Sequence, residues 1–368
     1  MKLLHTADLH IGKRVLEYSM TEDAAHILRE IAEIARAEAV DGVLIAGDVY
    51  DRSVPPVEAV DLFSDFLQTL ARENIPVFVI AGNHDSAERL SFCDDLLEKG
   101  GVHVAGALRG TPKTVLLRGE ETVAIHLASF ARTAALRPYF EESLESAADA
   151  MRAVLARIDR SVADRHVLLC HAFVSGGSTC DSEINPVGTA EVIGAELFEG
   201  FDYVALGHLH GPQTVANGVR YAGSPLKYSF SEKDHRKSVT LVELLPNEPT
   251  VIREIPLHAL HDMREVKGSL EFLLQGEYSE DYIRAVVTDE DVPPDARVAL
   301  QTVYPNLLRF AIENRRTAYE EDVDPASGVE ARDPLSLFSE FYERQNGTAP
   351  DEARLAVMRE LLCEEVEA

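Results

Sequence analysis

Short apolar runs alternate with longer stretches of helical spacing over the first two-thirds of the chain. Two of these stretches, one over 21–38 and one beginning at Pro55–Pro56, carry apolar residues three and four positions apart, which predicts two amphipathic helices. Ser19 and Glu22 have the spacing of a capping box before the first helix. Strands that alternate with helices favour an α/β layered sandwich over an all-β fold. The runs predicted as buried strands are 2–8, 40–48, 75–85, 121–130, 165–173 and 201–210.

The pattern changes after about residue 246. The segments 281–289, 294–304 and 306–315 predict a strand, a helix and a second strand, which together form a small α+β unit. Residues 317–333 are acidic and contain few large apolar side chains, so they are predicted to be a linker. Two amphipathic segments, 333–347 and 349–368, predict a helical tail. The expected division of the chain is 1–246, 247–316, 317–333 and 334–368.

Composition restricts the class of protein without deciding its function. Hydrophobic residues make up 46% and charged residues 27% of the 368 positions, which predicts a soluble protein with a substantial core. The four cysteines form no C-x-x-C pair and the first residues do not resemble a signal peptide, so a reducing cytoplasm is expected. No apolar run is long enough for a membrane span. The net charge of −28 disfavours a protein that reads DNA sequence, but it is compatible with a carboxylate-rich site that holds divalent cations.

Polar side chains with metal-binding groups stand at the ends of five predicted strands. In open α/β sheets, functional sites form at the carboxyl ends of strands. A pair of hard divalent cations requires carboxylate, imidazole and amide oxygen ligands, and glycines let the backbone pass close to the cations. Five distant segments are therefore predicted to form one two-metal site that acts on phosphate. Their motifs are Asp8-x-His10, Gly47-Asp48, Gly82-Asn83-His84-Asp85, His171 and Gly207-His208-x-His210.

Each motif by itself has a simpler explanation. D-x-H occurs often by chance, Gly-Asp is a frequent turn after a strand, and an isolated histidine such as His171 is usually a hydrogen-bonded core residue. The run Gly82-Asn83-His84-Asp85 is more specific, because a turn needs at most one of its three polar side chains. The combination of all five motifs in this order favours a functional site.

The ordered motifs D-x-H, G-D, G-N-H-D, H and G-H-x-H resemble the calcineurin-like metallophosphoesterase superfamily over residues 1 to 245. Within that superfamily, LLHTADLHIGK, IAGDVYDRSVPP, IAGNHDSAERL and YAGSPLKYSFSEKDHRKS are similar to the SbcD family of bacterial nuclease subunits. The resemblance implies a layered β-sandwich flanked by helices, followed by a small α+β capping domain and a helical tail that binds an ATPase.

The resemblance also implies metal ligands at seven motif positions. They would be divided between two divalent cations, with Mn²⁺ as the expected metal and one carboxylate bridging both. The first cation would be held by Asp8, His10 and His210, the second by Asn83, His171 and His208, and the bridging carboxylate would be Asp48.

Two neighbouring residues are implied to be catalytic rather than ligands. His84 would face the scissile phosphate and assist the leaving 3′ oxygen, and Asp85 would orient His84. Archaeal and eukaryotic relatives place a second phosphate-facing histidine near residue 51. Asp51 departs from that pattern, so no catalytic role is expected for it.

The activity implied is that of a 3′→5′ exonuclease on duplex DNA ends and an endonuclease on hairpins or blocked ends. The implied partners are a second copy of this chain, which would dimerise through helices within 56–74 and 86–98, and two copies of the SbcC ATPase.

A phosphatase or small-nucleotide phosphodiesterase would use the same ligands. Residues 221–368 favour the nuclease, because enzymes of small substrates need no capping domain or partner-binding tail. A non-catalytic scaffold is disfavoured because every ligand position is filled. The basic cluster at 227–237 is either a DNA contact or a solvated hairpin.

Overall fold

The chain is described by a computed structural model over residues 1–183, 191–314 and 334–364. The chain divides into two compact units between Met263 and Arg264. This boundary falls later in the chain than the predicted one at 246, because a strand beyond residue 246 joins the main sheet of the first unit. The predicted linker 317–333 lies outside the described residues.

The six runs predicted as buried strands each contain a strand, so these predictions are confirmed. Each strand ends at least two residues before its predicted end. In chain order the described strands are β1 (Lys2–Thr6), β2 (Arg14–Val15), β3 (Tyr18–Ser19), β4 (Gly42–Ala46), β5 (Val77–Ile80), β6 (Val102–Ala105), β7 (Lys113–Arg118), β8 (Thr122–Ala128), β9 (Arg165–His171), β10 (Tyr203–Gly207), β11 (Gln213–Ala216), β12 (Val219–Tyr221), β13 (Ser238–Glu243), β14 (Val251–Pro256), β15 (Met263–Gly268), β16 (Tyr282–Val287) and β17 (Leu307–Ile312).

The helices include both of the predicted amphipathic helices near the start of the chain. In chain order the described α-helices are α1 (Thr21–Ala37), α2 (Val57–Arg72), α3 (Ala87–Leu90), α4 (Asp94–Glu98), α5 (Thr133–Leu136), α6 (Ala147–Leu155), α7 (Leu270–Leu274), α8 (Ala296–Leu300), α9 (Pro334–Asn346) and α10 (Glu352–Glu364). Short 3₁₀ turns cover Arg137–Tyr139, Ala195–Phe198 and Phe230–Glu232.

The first unit contains two six-stranded sheets. One has the order β14-β13-β1-β4-β5-β6, and the other has the order β11-β12-β10-β9-β8-β7. In the first sheet β1, β4, β5 and β6 are parallel, while β13 and β14 add an antiparallel edge. In the second sheet β8, β9, β10 and β12 are parallel. The parallel strands therefore direct their carboxyl ends to one edge in each sheet.

The two sheets pack face to face over a common apolar core. Leu44 and Phe78 of the first sheet belong to one buried cluster with Ile125, Leu169 and Ala205 of the second. All four residues of β5 are buried, as expected for a parallel strand that is covered on both faces. The helices α1 and α2 contact each other, and α2 packs on β5. The result is the layered α/β fold that the sequence predicts.

The first helix begins without the predicted capping box. Met20 is the N-cap residue and makes no side-chain cap hydrogen bond. This places Glu22 one position too early to reach the N-cap amide, and the Ser19 hydroxyl pairs with the Thr21 hydroxyl at 2.9 Å instead. The capping-box prediction is therefore wrong, because the helix starts one residue later than the motif requires.

A buried histidine links the two sheets. His5 lies in β1, and its Nδ1 is 2.8 Å from the Tyr203 hydroxyl of β10. Burial, assisted by the Arg220 guanidinium, lowers the pKa of His5 to about 3. The imidazole is therefore neutral in the folded protein at pH 7.

We expect His5 to destabilise the fold in acid. The unfolded chain binds a proton at His5 near pH 6.5, whereas the folded chain does not until about pH 3. The free energy of unfolding should therefore fall by up to about 1.4 kcal/mol per pH unit as the pH drops through this window. His5→Gln should flatten the pH dependence between pH 6 and 4 by about one proton in urea denaturation. Equal slopes in the two proteins would contradict this assignment, and exposed His258→Gln is the matched control.

The second unit has its own sheet and core. Its strands are ordered β15-β16-β17, and β16 and β17 are parallel. Ile283, Leu300 and Leu307 lie buried together between these strands and the adjacent helix α8. The predicted strand–helix–strand pattern is confirmed, while β15 and α7 were not predicted.

Two helices end the described chain. Both α9 and α10 coincide with predicted amphipathic segments, and the Arg354 guanidinium of α10 lies 5.6 Å from the centre of the Tyr342 ring of α9. Phe341 is still 63% exposed and Leu361 is 53% exposed. Among the described residues, no helix is both long and apolar enough to cross a membrane.

Candidate metal centre

The carboxyl ends of five parallel strands meet at one edge of the two-sheet core. β1, β4 and β5 are neighbours in the first sheet, and β9 and β10 are neighbours in the second. The ends of β4 and β9 are joined directly, since Nδ1 of His171 donates to the carbonyl oxygen of Ala46 over 2.9 Å. The seven side chains that the sequence nominates as ligands lie together at this edge.

The first group of predicted ligands contains Asp8, His10 and His210. One donor atom from each lies within 4.8 Å of the others, and Nε2 of His10 is 3.2 Å from Nε2 of His210. All three side chains are buried. A cation between them would receive one carboxylate oxygen and two imidazole nitrogens.

The second group contains Asn83, His171 and His208. The Asn83 amide oxygen lies 2.8 Å from Nε2 of His171 and 3.1 Å from Nδ1 of His208. Asp48 stands between the two groups, because its Oδ2 is 3.5 Å from Nε2 of His171 and 3.8 Å from Nε2 of His10. Its Oδ2 thus lies within 4 Å of an Nε2 atom from each group.

The backbone at this edge adopts conformations that side chains normally avoid. Asp8, His10, Asp48 and His208 all have positive φ, with His208 at 110°. Such residues cost of the order of 1–3 kcal/mol each and persist where the surrounding structure holds them. At Gly82 a Cβ would collide with the Asp48 carboxylate. The close approach of these loops therefore depends on the absence of a side chain at residue 82.

Hydrogen bonds and burial determine the protonation state of the ligands. Since a carbonyl oxygen can only accept, the bond to Ala46 assigns the proton of His171 to Nδ1 and leaves Nε2 with its lone pair. Burial lowers the pKa of His171 below its usual value and that of His208 to about 3. Burial also lowers the pKa of His10, and the neighbouring His210 contributes. These imidazoles are therefore neutral, the form that binds metal.

The charge of the site matches divalent cations. Burial, followed by the charge of the neighbouring Asp48, raises the pKa of Asp8 well above its ordinary value. Two carboxyl groups thus oppose each other's ionisation in a region that supplies neutral imidazoles and an amide oxygen. Divalent cations would remove this repulsion and accept the same ligands. The residues present fit a pair of such ions.

His84 lies beside the first ligand group without joining the predicted ligand set. Its ring centre is 4.8 Å from that of His10, in an edge-to-face orientation. Its Nδ1 donates to the carbonyl oxygen of Asp51 over 2.9 Å, and its backbone N–H donates to Oδ1 of Asp48 over 2.8 Å. Nε2 is therefore the ring nitrogen left for a substrate.

Asp85 does not bond to the His84 ring, which corrects the predicted contact. Its carboxylate accepts hydrogen bonds from the backbone N–H groups of Val49, Tyr50 and Gly82 at 2.9–3.1 Å. Burial, followed by the charge of Asp48, raises its pKa to about 7. Asp85 instead ties the loop after β4 to the loop after β5. The carbonyl oxygen that orients His84 belongs to Asp51, because that carbonyl rather than the Asp85 side chain lies beside the ring.

A polar network behind His210 was not predicted. The Ser182 hydroxyl lies 2.8 Å from Nδ1 of His210 and 2.5 Å from the Glu232 carboxylate. Glu232 also accepts from the buried Lys237 ammonium at 2.5 Å. Burial alone would raise the pKa of Glu232, but the Lys237 charge and the His210 hydrogen bond hold it below its usual value. The only sequence signal was an acidic residue inside a basic stretch.

This network also changes the interpretation of the basic cluster at 227–237. Lys237 is buried and paired with Glu232. Lys227 pairs with Asp262 at 2.8 Å. Two of the cations that were candidates for a DNA contact are therefore engaged in internal ion pairs.

Comparisons with known proteins show the family of the chain. The model of the calcineurin-like phosphoesterase family matches residues 1–212, and that of the type 5 capsule protein repressor C-terminal domain (SbcD_C) matches residues 259–346. The chain is 30% identical over 354 residues to a protein of Staphylococcus epidermidis that is named as the SbcD component of the SbcCD nuclease, with 93% of each chain covered. It is 31% identical to proteins of the same name from Staphylococcus saprophyticus, with 94% of each chain covered, and from Bacillus subtilis, with 98% and 97% covered.

The chain belongs to the SbcD family of calcineurin-like phosphoesterases. All seven candidate ligands lie inside the segment that the phosphoesterase model matches. The SbcD_C model covers β15, β16 and β17 and extends to the last residue of α9. As an SbcD family member the protein is a metal-dependent phosphoesterase of the nuclease type, and its fold family works with divalent metals.

Proposed function

We propose that this chain is the nuclease component of a complex with an SbcC-type ATPase and that it hydrolyses DNA phosphodiester bonds with two Mn²⁺ ions. The observation that carries the proposal is the convergence of seven nitrogen and oxygen ligands, from five distant segments, beside the imidazole of His84. The relatives' name and their match over nearly the whole chain support the same function.

We assign the proposed ligands to two cations according to the distances between their donor atoms. When bound, two divalent cations neutralise phosphate charge and lower the pKa of an attacking water. The residues that would hold them are Asp8, His10 and His210 for one, Asn83, His171 and His208 for the other, and Asp48 for both.

His84 would supply the proton for the leaving group. The bond from Nδ1 to Asp51 orients the ring, so Nε2 is the atom that meets substrate. His84 enters this step with a proton on each ring nitrogen. Water adds its oxygen to phosphorus and releases a proton to solvent, the bond from phosphorus to the 3′ oxygen breaks, and that oxygen takes the proton from Nε2 of His84. His84 then recovers a proton from solvent. The products are a 5′ phosphate and a 3′ hydroxyl. Asp85 acts as a positioning residue, through the backbone of residues 49 and 50.

The proposed substrates are duplex ends, degraded 3′→5′, and hairpins or blocked ends, cut internally under control of the partner's ATP hydrolysis. The test is purified chain with Mn²⁺ on an end-labelled hairpin duplex, with para-nitrophenyl phosphate esters alongside. We expect cleavage of the hairpin and of a phosphodiester. Turnover of the monoester with intact DNA would make the chain a phosphatase instead.

We further propose that two copies pair through the segments 56–74 and 86–98. Val57 is 71% exposed, Phe92 is 77% exposed and Leu96 is 64% exposed. When exposed apolar side chains of this size form a patch, that patch is typical of a protein interface. Sedimentation of the isolated chain at the monomer mass would contradict the proposal.

The helical tail is proposed to bind the ATPase. Its exposed Phe341 and Leu361 suit contact with helices of a partner, and no proposed ligand lies in the tail. Deletion of residues 330–368 should therefore leave Mn²⁺-dependent nuclease activity of the isolated chain nearly unchanged while abolishing co-purification with SbcC and any stimulation by ATP. Co-purification of the truncated chain at full yield would move the main interface elsewhere.

A further inference from the structure

The ring nitrogen of His210 that faces away from the proposed cations is held by side chains. Nδ1 of His210 lies 2.8 Å from the Ser182 hydroxyl, which lies 2.5 Å from Oε1 of Glu232. The direct distance from Nδ1 to Oε1 is 3.5 Å, longer than an ordinary hydrogen bond. At His171 the corresponding nitrogen donates to a backbone carbonyl, that of Ala46. Substitution can therefore remove the partner of His210 but not the partner of His171.

The direction of the hydrogen bonds to His210 follows from an ion pair behind them. Nζ of Lys237 lies 2.5 Å from Oε2 of Glu232, and both side chains are buried. An ionised carboxylate can only accept hydrogen bonds, so the single proton of the Ser182 hydroxyl points to Glu232. The hydroxyl oxygen must then accept from Nδ1 of His210. Nε2 of His210 is left with its lone pair, on the side of His10, whose Nε2 is 3.2 Å away.

The same ion pair also holds the backbone of His210. The Lys237 ammonium donates to the carbonyl oxygen of His210 over 2.9 Å and to the Ser224 hydroxyl over 2.8 Å. Together with the bond to Glu232, these contacts use all three of its N–H groups. The backbone N–H of His210 donates to the Glu183 carboxylate. His210 is thus fixed at its ring, its N–H and its carbonyl oxygen by residues outside the proposed ligand set.

A further metal site is the competing interpretation of this cluster. Donor atoms of Cys180, His210 and Glu232 lie within 4.8 Å of one another. The buried ammonium paired with Glu232 already supplies its counter-charge. The Cys180 thiol lies 3.1 Å from the Ser182 hydroxyl and donates to the Glu183 carboxylate over 3.3 Å. These pairings favour a hydrogen-bonded network over another cation.

We propose that Glu232, acting through the Ser182 hydroxyl, positions His210 as a metal ligand by keeping its proton on Nδ1. The inference rests on the proposed two-metal centre, in which His210 binds the first cation. The charge of Lys237 balances that of Glu232, so the ring is oriented without net negative charge being added beside the cations. A buried ion pair often stabilises a fold no better than apolar residues of similar size. Stability alone is therefore a poor reason for this arrangement.

The first test measures the tautomer of His210 in chelated protein. With ¹⁵N-labelled histidine, the NMR shifts of the ring nitrogens should place the proton of His210 on Nδ1, and the signals are assigned by their loss in His210→Asn. A proton on Nε2 in the wild type would overturn the proposal. Glu232→Met/Lys237→Met removes both charges together and lets the Ser182 hydroxyl donate to Nδ1. The proton should then move wholly or partly to Nε2, and an unchanged tautomer would also overturn the proposal.

The second test measures Mn²⁺ affinity by calorimetry. Loss of the outer partner of a ligating histidine typically weakens metal binding by about 10- to 100-fold. Ser182→Ala, which keeps the ion pair, and the double variant should each weaken one Mn²⁺ site by about this factor. Ser182→Thr keeps the hydroxyl and should bind nearly as the wild type does. The matched control is Ser178→Ala, at an exposed serine of the same loop that contacts Gln213 through its backbone.

Melting in the presence of a chelator separates positioning from folding. Glu232→Gln alone leaves the Lys237 charge buried without its partner, so it should melt below the double variant. A Mn²⁺ affinity that follows the melting temperature across these variants, rather than the tautomer, would make the network structural and overturn the proposal. A changed tautomer with unchanged Mn²⁺ affinity would instead show that His210 is not a ligand. In that case the proposed metal centre fails, while the effect of Glu232 on the ring stands.

Discussion

Replacement of Asp48 is expected to abolish turnover. Its Oδ2 is the carboxylate oxygen nearest to imidazoles of both ligand groups, at 3.5 Å from His171 and 3.8 Å from His10. Asp48→Ala should therefore weaken both cation sites and lower kcat by roughly 10³-fold or more, which corresponds to a loss of several kcal/mol of transition-state stabilisation. Calorimetric titration with Mn²⁺ should show fewer or much weaker sites. Two unchanged tight sites would show that Asp48 does not bridge.

A second substitution separates metal binding from folding. Oδ1 of Asp48 accepts the backbone N–H of His84, and Asp48→Asn keeps an oxygen for this bond. In chelated protein the pKa values of Asp8 and Asp85 are raised by burial and then by the charge of Asp48, so these carboxylates and Asp48 repel each other. Asp48→Asn should therefore melt no lower than the parent in the presence of a chelator, although it is inactive with Mn²⁺. Asp295→Ala, at an exposed carboxylate without a cap hydrogen bond, should change neither property.

Replacement of His84 is expected to reduce cleavage while leaving metal binding intact. His84→Gln should lower DNA cleavage by roughly 10²–10⁴-fold, the usual effect of a lost acid–base group. The loss should be much smaller on a para-nitrophenyl diester, because nitrophenolate leaves without taking up a proton. Mn²⁺ stoichiometry should be unchanged by calorimetry, and exposed His258→Gln should behave as wild type.

A loss of metal binding in His84→Gln would also have a structural explanation. Donor atoms of His10, Asp48 and His84 also lie within 4.8 Å of one another. If His84→Gln binds one ion fewer, His84 is a ligand and the proposed division of the Gly82–Asp85 motif is wrong. An equal loss on both substrates with full metal binding would place His84 in substrate positioning rather than proton transfer.

The sequence by itself determined the strands of the core and the chemical character of the edge. A run such as Val77–Ile80 has no polar side chain to expose, so burial inside a sheet is its stable state. Polar residues directly after such runs must lie at the strand ends. Imidazoles, carboxylates and an amide at five such ends were enough to predict a metal centre, and the family resemblance then nominated seven of these residues as ligands.

Other features depended on strand order and on contacts between distant segments. The compact units divide later than the predicted boundary at 246 because β14 pairs with β13, and two short strands with ordinary β composition contain no signal for this pairing. A cavity of about 540 Å³ that opens beside the second ligand group also has no local signature. Its lining comes from loops and helices that are separated in sequence and approach only after the second sheet has formed.

The hydrogen-bond partners of the polar groups were decided by tertiary structure alone. Asp85 is adjacent to His84 in sequence, yet it bonds to backbone amides of residues 49 and 50, because β4 lies beside β5 and the loop after β4 presents those amides. Glu232 reaches His210 through Ser182, which is fifty positions away from Glu232. A local pattern indicates which side chains must leave water or remain near it. Which donor meets which acceptor is determined only when the folded sheets bring distant loops together, since each buried polar group must be satisfied by whatever packs against it.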